Sequence, residues 1–227
     1  MASKQLERLY LEGFLKSFPH FEVVADCEAP DFILRDVVGP IGFEVVRVFR
    51  DTSRAGSKTK ELENRRQATL RDLSQRYYDT GGKPLMVTAL ASGASLGDLD
   101  RLASRLQRRR PSRLWRQRQV RLDRSGATLY VTALPREAGQ YQRWQCTSNS
   151  VGWVRQAADD LLSAAIAKKA AKLSIYRKAA DRIALLIVAD ATRTSGMLRP
   201  SADMRVPRQG FEAIYFYRYP EAAVQVA

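Results

Sequence analysis

The 227-residue sequence has few of the side chains that most enzymes use. It contains one histidine, His20, and two cysteines, Cys27 and Cys146, without CxxC spacing or a neighbouring histidine. This scarcity excludes a zinc ribbon, a disulfide framework and most histidine-dependent catalysis. The sequence also lacks the GxSxG, GxxxxGK[ST] and GxGxxG motifs, so the residues of common hydrolase, nucleoside triphosphatase and dinucleotide sites are missing.

Long apolar runs are also missing. No segment approaches the roughly 20 apolar residues that a membrane-spanning helix needs, and the first residues contain no apolar signal core. We therefore expect a cytoplasmic protein without a membrane partner, in which both cysteines are buried thiols.

Acidic residues are outnumbered by basic ones. Lys and Arg number 38 against 24 Asp and Glu, which gives a net charge of +14 and an isoelectric point near 10.2. Such a surplus attracts phosphate backbones. Residues 101–124 contain ten arginines and a single acid, Asp123. We expect this segment to bind nucleic acid, DNA in preference to RNA, through Arg108, Arg109, Arg110, Arg113, Trp115 and Arg116, with Trp115 or Trp144 available to stack on a base.

The hydrophobic pattern predicts an α/β fold. An amphipathic helix over residues 3–18 precedes a hairpin whose strands are 32–35 and 41–49, and a second helix and an apolar strand follow at 59–78 and 85–90. Further along the chain, the pattern predicts a helix over 96–106, a strand pair at 114–122 and 127–134, a long helix over 154–180 and strands at 183–189, 211–219 and 223–226.

We expect these elements to form a single domain over residues 1–227. Its core would be residues 3–90, with a basic insertion at about 101–150 and a C-terminal helix and strands at 154–227.

Two acidic residues stand out in the predicted hairpin. Asp31 begins the first strand, and Glu44 lies inside the second, on the same face as Val46 and Val48. A carboxylate in an apolar strand is costly unless it is paired or binds a metal. Two carboxylates at one sheet edge, with Glu28 as a third, would suit Mg²⁺ or Mn²⁺. Alternatively, Asp31 forms a turn, and Glu44 is exposed at an edge or forms a salt bridge to an arginine.

The hairpin resembles the PD-(D/E)xK nuclease superfamily. Pro30-Asp31 and Glu44-Val45-Val46 match its motif, and Gln67 resembles the polar residue that several of its branches carry in the next helix. The segments around 30–45 and 166–188 more specifically resemble a bacterial branch of that superfamily. The resemblance implies a restriction-endonuclease-like core, a mixed central sheet flanked by helices, and Mg²⁺- or Mn²⁺-dependent endonuclease activity at Asp31 and Glu44.

The chain departs from this family at one position, because Val46 stands where the family has a catalytic lysine. Lys60 and Lys169 are the candidates to replace that lysine. On a helical wheel, Lys169 falls in an apolar stripe formed by Leu162, Ile166, Ala170 and Leu173, whereas Lys168 points away from it. A lysine in such a stripe either extends to the rim or reaches a buried anion. Lys172 and Tyr176 flank the stripe, and we expect them to contact nucleic acid.

Three functions remain open from the sequence. The first is a metal-dependent nuclease with Asp31, Glu44, Gln67 and a displaced lysine in its active site. The second is a catalytically degenerate nucleic-acid-binding relative, and the third is a module whose basic face binds an acidic protein. A homodimer is compatible with this fold, although no residue pattern identifies an interface.

Overall fold

The computed structural model describes residues 2–53, 56–90, 96–122, 127–147, 155–157, 159–201, 204 and 206–227. Its α-helices are α1 (Ala2–Leu15), α2 (Lys58–Asp79), α3 (Leu99–Arg108), α4 (Asp159–Ala170) and α5 (Leu173–Tyr176), and 3₁₀ turns span Arg136–Tyr141 and Thr194–Gly196. Its strands are β1 (Glu22–Asp26), β2 (Phe32–Arg35), β3 (Pro40–Arg47), β4 (Thr52–Ser53), β5 (Gly56–Ser57), β6 (Leu85–Leu90), β7 (Gln117–Arg121), β8 (Thr128–Ala133), β9 (Arg143–Thr147), β10 (Arg155–Gln156), β11 (Ile183–Asp190), β12 (Leu198–Arg199), β13 (Ala213–Tyr219) and β14 (Ala222–Gln225).

The contacts of the chain divide it into two compact units. The first comprises Met1–Ser57 and Trp153–Ala227, and the second is Lys58–Gly152. The predicted basic insertion lies inside the second unit, which begins at the start of α2 rather than at residue 101. None of the described helices is long and apolar enough to cross a lipid bilayer.

A six-stranded mixed sheet forms the centre of the first unit. Its strand order is β1-β2-β3-β11-β13-β14. The strands β3, β11 and β13 are parallel to one another, and β2 and β14 are antiparallel to their neighbours. Every residue of β11 is buried, as expected for a central parallel strand with both faces covered.

Helices cover the two faces of this sheet. Tyr10, Leu11 and Phe14 of α1 pack in a cluster on one face, and Leu162 and Ile166 of α4 pack with α5 in a cluster on the other. The predicted α/β class, with a mixed sheet flanked by helices, is therefore confirmed.

The predicted long helix over 154–180 is two helices. The backbone leaves the helical conformation at Lys172, where φ is −106° and ψ is 4°, and α5 begins at Leu173. The apolar stripe keeps its spacing across this break, so the sequence pattern could not reveal it. Residues 154 and 158, near the predicted start of the helix, lie outside the described residues.

The second unit contains a four-stranded sheet in the order β7-β8-β6-β9. Helices α2 and α3 contribute Leu70, Leu73, Leu102 and Leu106 to its buried core. Residues 85–90 form a strand as predicted, but this strand pairs with β8 and β9 rather than joining the hairpin's sheet. The expectation that this strand belongs to one core with the hairpin is wrong. An apolar pattern indicates that a strand is buried but does not indicate which strands it pairs with.

A tight turn after β11 generates a prediction about stability. A methyl group at Gly196 would lie 2.2 Å from the carbonyl oxygen and 2.7 Å from the backbone nitrogen of Asp190, the last residue of β11. Because backbone atoms cannot rotate away, Gly196→Ala should lower the free energy of unfolding by about 1–3 kcal/mol, measured by urea denaturation. Gly139→Ala is the control, since its closest neighbour is the side-chain amide of Gln142 at 3.3 Å. Equal stability of the two variants would contradict the prediction.

Candidate active site

Strand pairing brings Asp31 and Glu44 together at one position of the first unit's sheet. Phe32 pairs with Phe43 in antiparallel strands, so the adjoining residues, Asp31 and Glu44, lie opposite each other. The backbone N–H of Val45 donates a hydrogen bond of 2.7 Å to Asp31 Oδ2. The hairpin therefore places the two carboxylates on the same face of the sheet.

Glu44 is 5% exposed, and its carboxylate has two donors on one oxygen. The Lys169 ammonium and the Tyr176 hydroxyl both donate to Glu44 Oε1, the hydroxyl at 2.9 Å. Among the described residues, the buried Oε2 atom has no hydrogen-bond partner. An unpaired buried carboxylate oxygen is costly, and a cation would satisfy it.

Lys169 reaches Glu44 from α4. Its side chain is 19% exposed and follows the buried residues Leu162 and Ile166 along the helix, whereas Lys168 is exposed. The predicted inward orientation of Lys169 is confirmed, and the anion it reaches is Glu44. The sequence interpretation that paired Glu44 with an arginine is wrong, because the cation is this lysine.

Tyr176 lies in α5 and is 2% exposed. The prediction that it contacts nucleic acid is therefore wrong, because its hydroxyl is buried against Glu44. Burial and the neighbouring Glu44 carboxylate raise the pKa of Tyr176 above its ordinary value, so the hydroxyl stays protonated and remains a donor. Only its place in the apolar stripe of α4 and α5 could have signalled this position.

Burial also shifts the protonation of Asp31. It raises the pKa of this carboxyl to about 6, the negative charges of Glu44 and Glu7 add to the effect, and the Val45 hydrogen bond and Lys4 oppose it. The Lys4 ammonium is 3.8 Å from Asp31 Oδ1. Both carboxylates thus lie in an environment where negative charge is poorly solvated, and a divalent cation would stabilise it.

The third predicted metal ligand is not part of this arrangement. Glu28 is exposed, and the described residues contain no cluster of three or more His, Cys, Asp or Glu side chains that could hold a metal ion. The candidate donor set from side chains is therefore the pair Asp31 and Glu44. Both supply the oxygen ligands that Mg²⁺ and Mn²⁺ prefer.

Gln67 has a different task in the second unit. Its amide nitrogen donates to the carbonyl of Trp144 at 2.9 Å, and its amide oxygen accepts from the Cys146 N–H at 3.1 Å. The side chain thereby connects α2 to the backbone of β9, and both the nitrogen and the oxygen of its amide form hydrogen bonds within the fold. Lys60, the other lysine candidate, also lies on α2, and its predicted catalytic role stays a prediction.

Most of the predicted nucleic-acid contacts are on the surface. The exposed members are Arg108, Arg109, Arg113, Trp115, Arg116 and Lys172. Arg110 is an exception, like the buried Tyr176, because its guanidinium donates to the Leu134 carbonyl at 3.0 Å and its Nε is buried. The Trp144 indole donates to the Tyr78 hydroxyl at 3.1 Å and packs inside the unit, so it is not placed to stack on a base.

The chain matches no protein-family model, no curated protein and no solved structure.

The raised pKa of Asp31 predicts that the ionised form of this carboxyl group destabilises the fold. Because the folded protein holds this proton more tightly than the unfolded chain does, stability falls as the pH rises from 3.8 through about 6. Asp31→Asn keeps an acceptor for the Val45 N–H but removes the charge. The variant should gain about 1–3 kcal/mol over the parent at pH 8, and little at pH 4, in urea denaturation.

Glu28→Gln serves as the matched control, since it neutralises an exposed carboxylate three positions earlier. A stability difference for Asp31→Asn that is the same at both pH values would contradict the assignment of a buried, charged Asp31.

Proposed function

We propose that this chain is a metal-dependent phosphodiesterase that cleaves nucleic acid, with Asp31, Glu44 and Lys169 as its active-site residues. One observation carries the proposal: the hairpin and α4 bring two acids and a lysine to one largely buried point of the sheet. Burying such charges is unfavourable for folding, and sites of this kind are concentrated where chemistry takes place.

Asp31 and Glu44 would hold the Mg²⁺ or Mn²⁺ ion. The unpartnered Glu44 Oε2 and the poorly solvated Asp31 carboxylate supply hard oxygen donors, which fits this group. A bound ion of this kind polarises a phosphoryl oxygen and lowers the pKa of a coordinated water. The Val45 N–H orients Asp31, and Tyr176 keeps Glu44 Oε1 engaged so that Oε2 remains available.

Lys169 would take the task of the lysine that Val46 replaces. Its ammonium already lies against Glu44, and a positive charge there stabilises negative charge on the scissile phosphate. Along the chain, residues 58–152 separate the hairpin, which carries the two acids, from α4, which carries Lys169.

A second candidate function is binding of nucleic acid without cleavage. It is favoured by the Lys169 ammonium on Glu44 Oε1, which neutralises a carboxylate without any metal, and by the absence of a third clustered metal-binding side chain among the residues that the structure describes. A retained ion pair of this kind would leave a stable but inactive site. This function predicts salt-dependent binding and no product with any divalent ion.

Cleavage assays separate the two functions. With Mn²⁺ or Mg²⁺, the parent should cut plasmid, single-stranded DNA or RNA, and Asp31→Asn, Glu44→Gln and Lys169→Met should each lose about 100-fold or more in rate, because each removes a charge from the reacting centre. Lys168→Met, one residue away on the exposed side of α4, should keep the parent rate. Full activity in the Asp31 and Glu44 variants would reject the proposal, and an inactive parent would favour the second candidate.

The affinity for a divalent metal ion should increase with pH as Asp31 ionises. Because protons compete with the cation for this carboxylate, the affinity for Mn²⁺ should rise as the pH increases through about 6 and then level off. Isothermal titration calorimetry measures this affinity without any substrate. Asp31→Asn should abolish both the binding and its pH dependence, whereas Glu28→Gln should leave them unchanged. Binding that is independent of pH would contradict the assigned ligand.

A further inference from the structure

The positive charge of the chain is concentrated in its second unit. Residues 58–152 contain 19 Lys or Arg against 8 Asp or Glu, a net charge of +11. The first unit therefore carries only +3 of the total of +14. A negatively charged ligand should therefore be attracted mainly to the second unit.

Within that unit, arginines from two elements line an open groove. Arg105 and Arg109 come from the end of α3, and Arg118 and Arg121 come from β7, with Gln119 and Val120 beside them. The strand β7 lies at the edge of its sheet, and the only buried residue of β7 is Val120. The sequence predicted nucleic-acid contacts for residues 101–124 and named Arg109 among them, but it did not predict that Arg105, Arg118 and Arg121 share a groove with it, because their convergence depends on how α3 packs on the sheet.

The acids at the start of α3 have partners outside the groove. Asp98 caps the N-terminus of α3, and Asp100 forms a salt bridge with Arg76. In the part of the chain that the structure describes, Arg109, Arg118 and Arg121 form no ion pair. Arg105 donates to the backbone carbonyl of Arg121 at 3.1 Å, which fixes its guanidinium against the strand. The like charges of Arg109, Arg118 and Arg121 along one groove repel one another, and negative charge on a ligand would relieve that repulsion.

We propose that this groove is the docking site for the phosphodiester backbone of nucleic acid. The interpretation of this ligand as the substrate rests on the proposed function, but binding in the groove does not. Positive charge along a groove favours a polyanion as the ligand, and the groove residues Arg109, Arg118 and Arg121 each carry a planar guanidinium, which pairs with phosphate through two parallel hydrogen bonds. Arg113 and Arg116, both exposed, extend the positive surface along the chain that leads into β7.

Trp115 favours nucleic acid over an acidic protein as the ligand. Its indole is 62% exposed, two residues before β7, and its φ of 60° is unusual for an aromatic residue. A 2.7 Å hydrogen bond from its backbone N–H to the Ala133 carbonyl holds this conformation. An exposed aromatic ring beside a row of arginines offers a base a stacking surface, which a purely acidic peptide would not use.

The test measures binding in EDTA, so that no cleavage occurs. Labelled single-stranded DNA, duplex DNA and RNA are titrated with the parent, with the triple variant Arg109→Gln, Arg118→Gln and Arg121→Gln, and with a charge-matched control, Lys16→Gln, Arg35→Gln and Arg208→Gln. The control residues are exposed and lie in the first unit. Circular dichroism verifies that each variant is folded.

We expect the groove variant to lose at least about tenfold in affinity at moderate salt, and the slope of log K against log salt to fall by about 2–3, one for each phosphate contact removed. The control should keep the parent slope. Trp115→Ala should weaken single-stranded binding more than duplex binding, because only unpaired bases can stack on it.

Three results would overturn the proposal. The groove variant could bind like the parent, the control could lose as much affinity as the groove variant, or polyglutamate or anionic vesicles could displace nucleic acid at equal charge concentration. Asp31→Asn separates this inference from the proposed function. If that variant binds normally in EDTA while the parent never cleaves, the groove stands and the catalytic proposal fails. If the parent cleaves and the groove variant binds normally, the catalytic proposal stands and the groove proposal fails.

Discussion

The buried charge of Glu44 is the constraint on which the described site depends. A carboxylate in the middle of β3, beside the fully buried strand β11, can be tolerated only if donors reach it. Lys169 and Tyr176 supply those donors from α4 and α5, so both helices must pack on this face of the sheet. The unpartnered Oε2 shows that these donors leave part of the Glu44 carboxylate unsatisfied, and burial raises the pKa of the neighbouring Asp31. This arrangement is unfavourable for stability, and under the proposed function a cation would relieve it.

The two units divide the electrostatic character of the protein. In the first, a few charges are buried and paired within an apolar core, where the low polarity makes each interaction strong and specific. In the second, many arginines are exposed around a groove, where each interaction is weak, screened by salt and additive over a long ligand. The proposed nuclease function would use the first kind of site to act on one bond and the second kind to hold the polyanion.

Local sequence patterns were sufficient for much of this description. Alternation along the hairpin put Glu44 on the face that includes Val48, and helical spacing put Lys169, rather than Lys168, on the inward side of α4. Other expectations concerned properties that no local sequence pattern can predict. Glu28 is near Asp31 in sequence but lies at the surface, and Gln67 looks like a catalytic amide yet bonds to the backbone of β9. Whether a polar side chain is available for chemistry depends on its neighbours in space.

The sequence by itself determined the α/β class, most of the elements, the hairpin with its two acids, and the basic character of the chain, because periodicity, charge and turn residues act over a few positions. Only the tertiary structure decided that β11, rather than β6, lies beside β3, and that Tyr176 faces Glu44. It also brought Arg105 and Arg109 beside Arg118 and Arg121. Strand partners and helix contacts join residues far apart in the chain, and several pairings bury similar apolar area, so local pattern cannot choose among them.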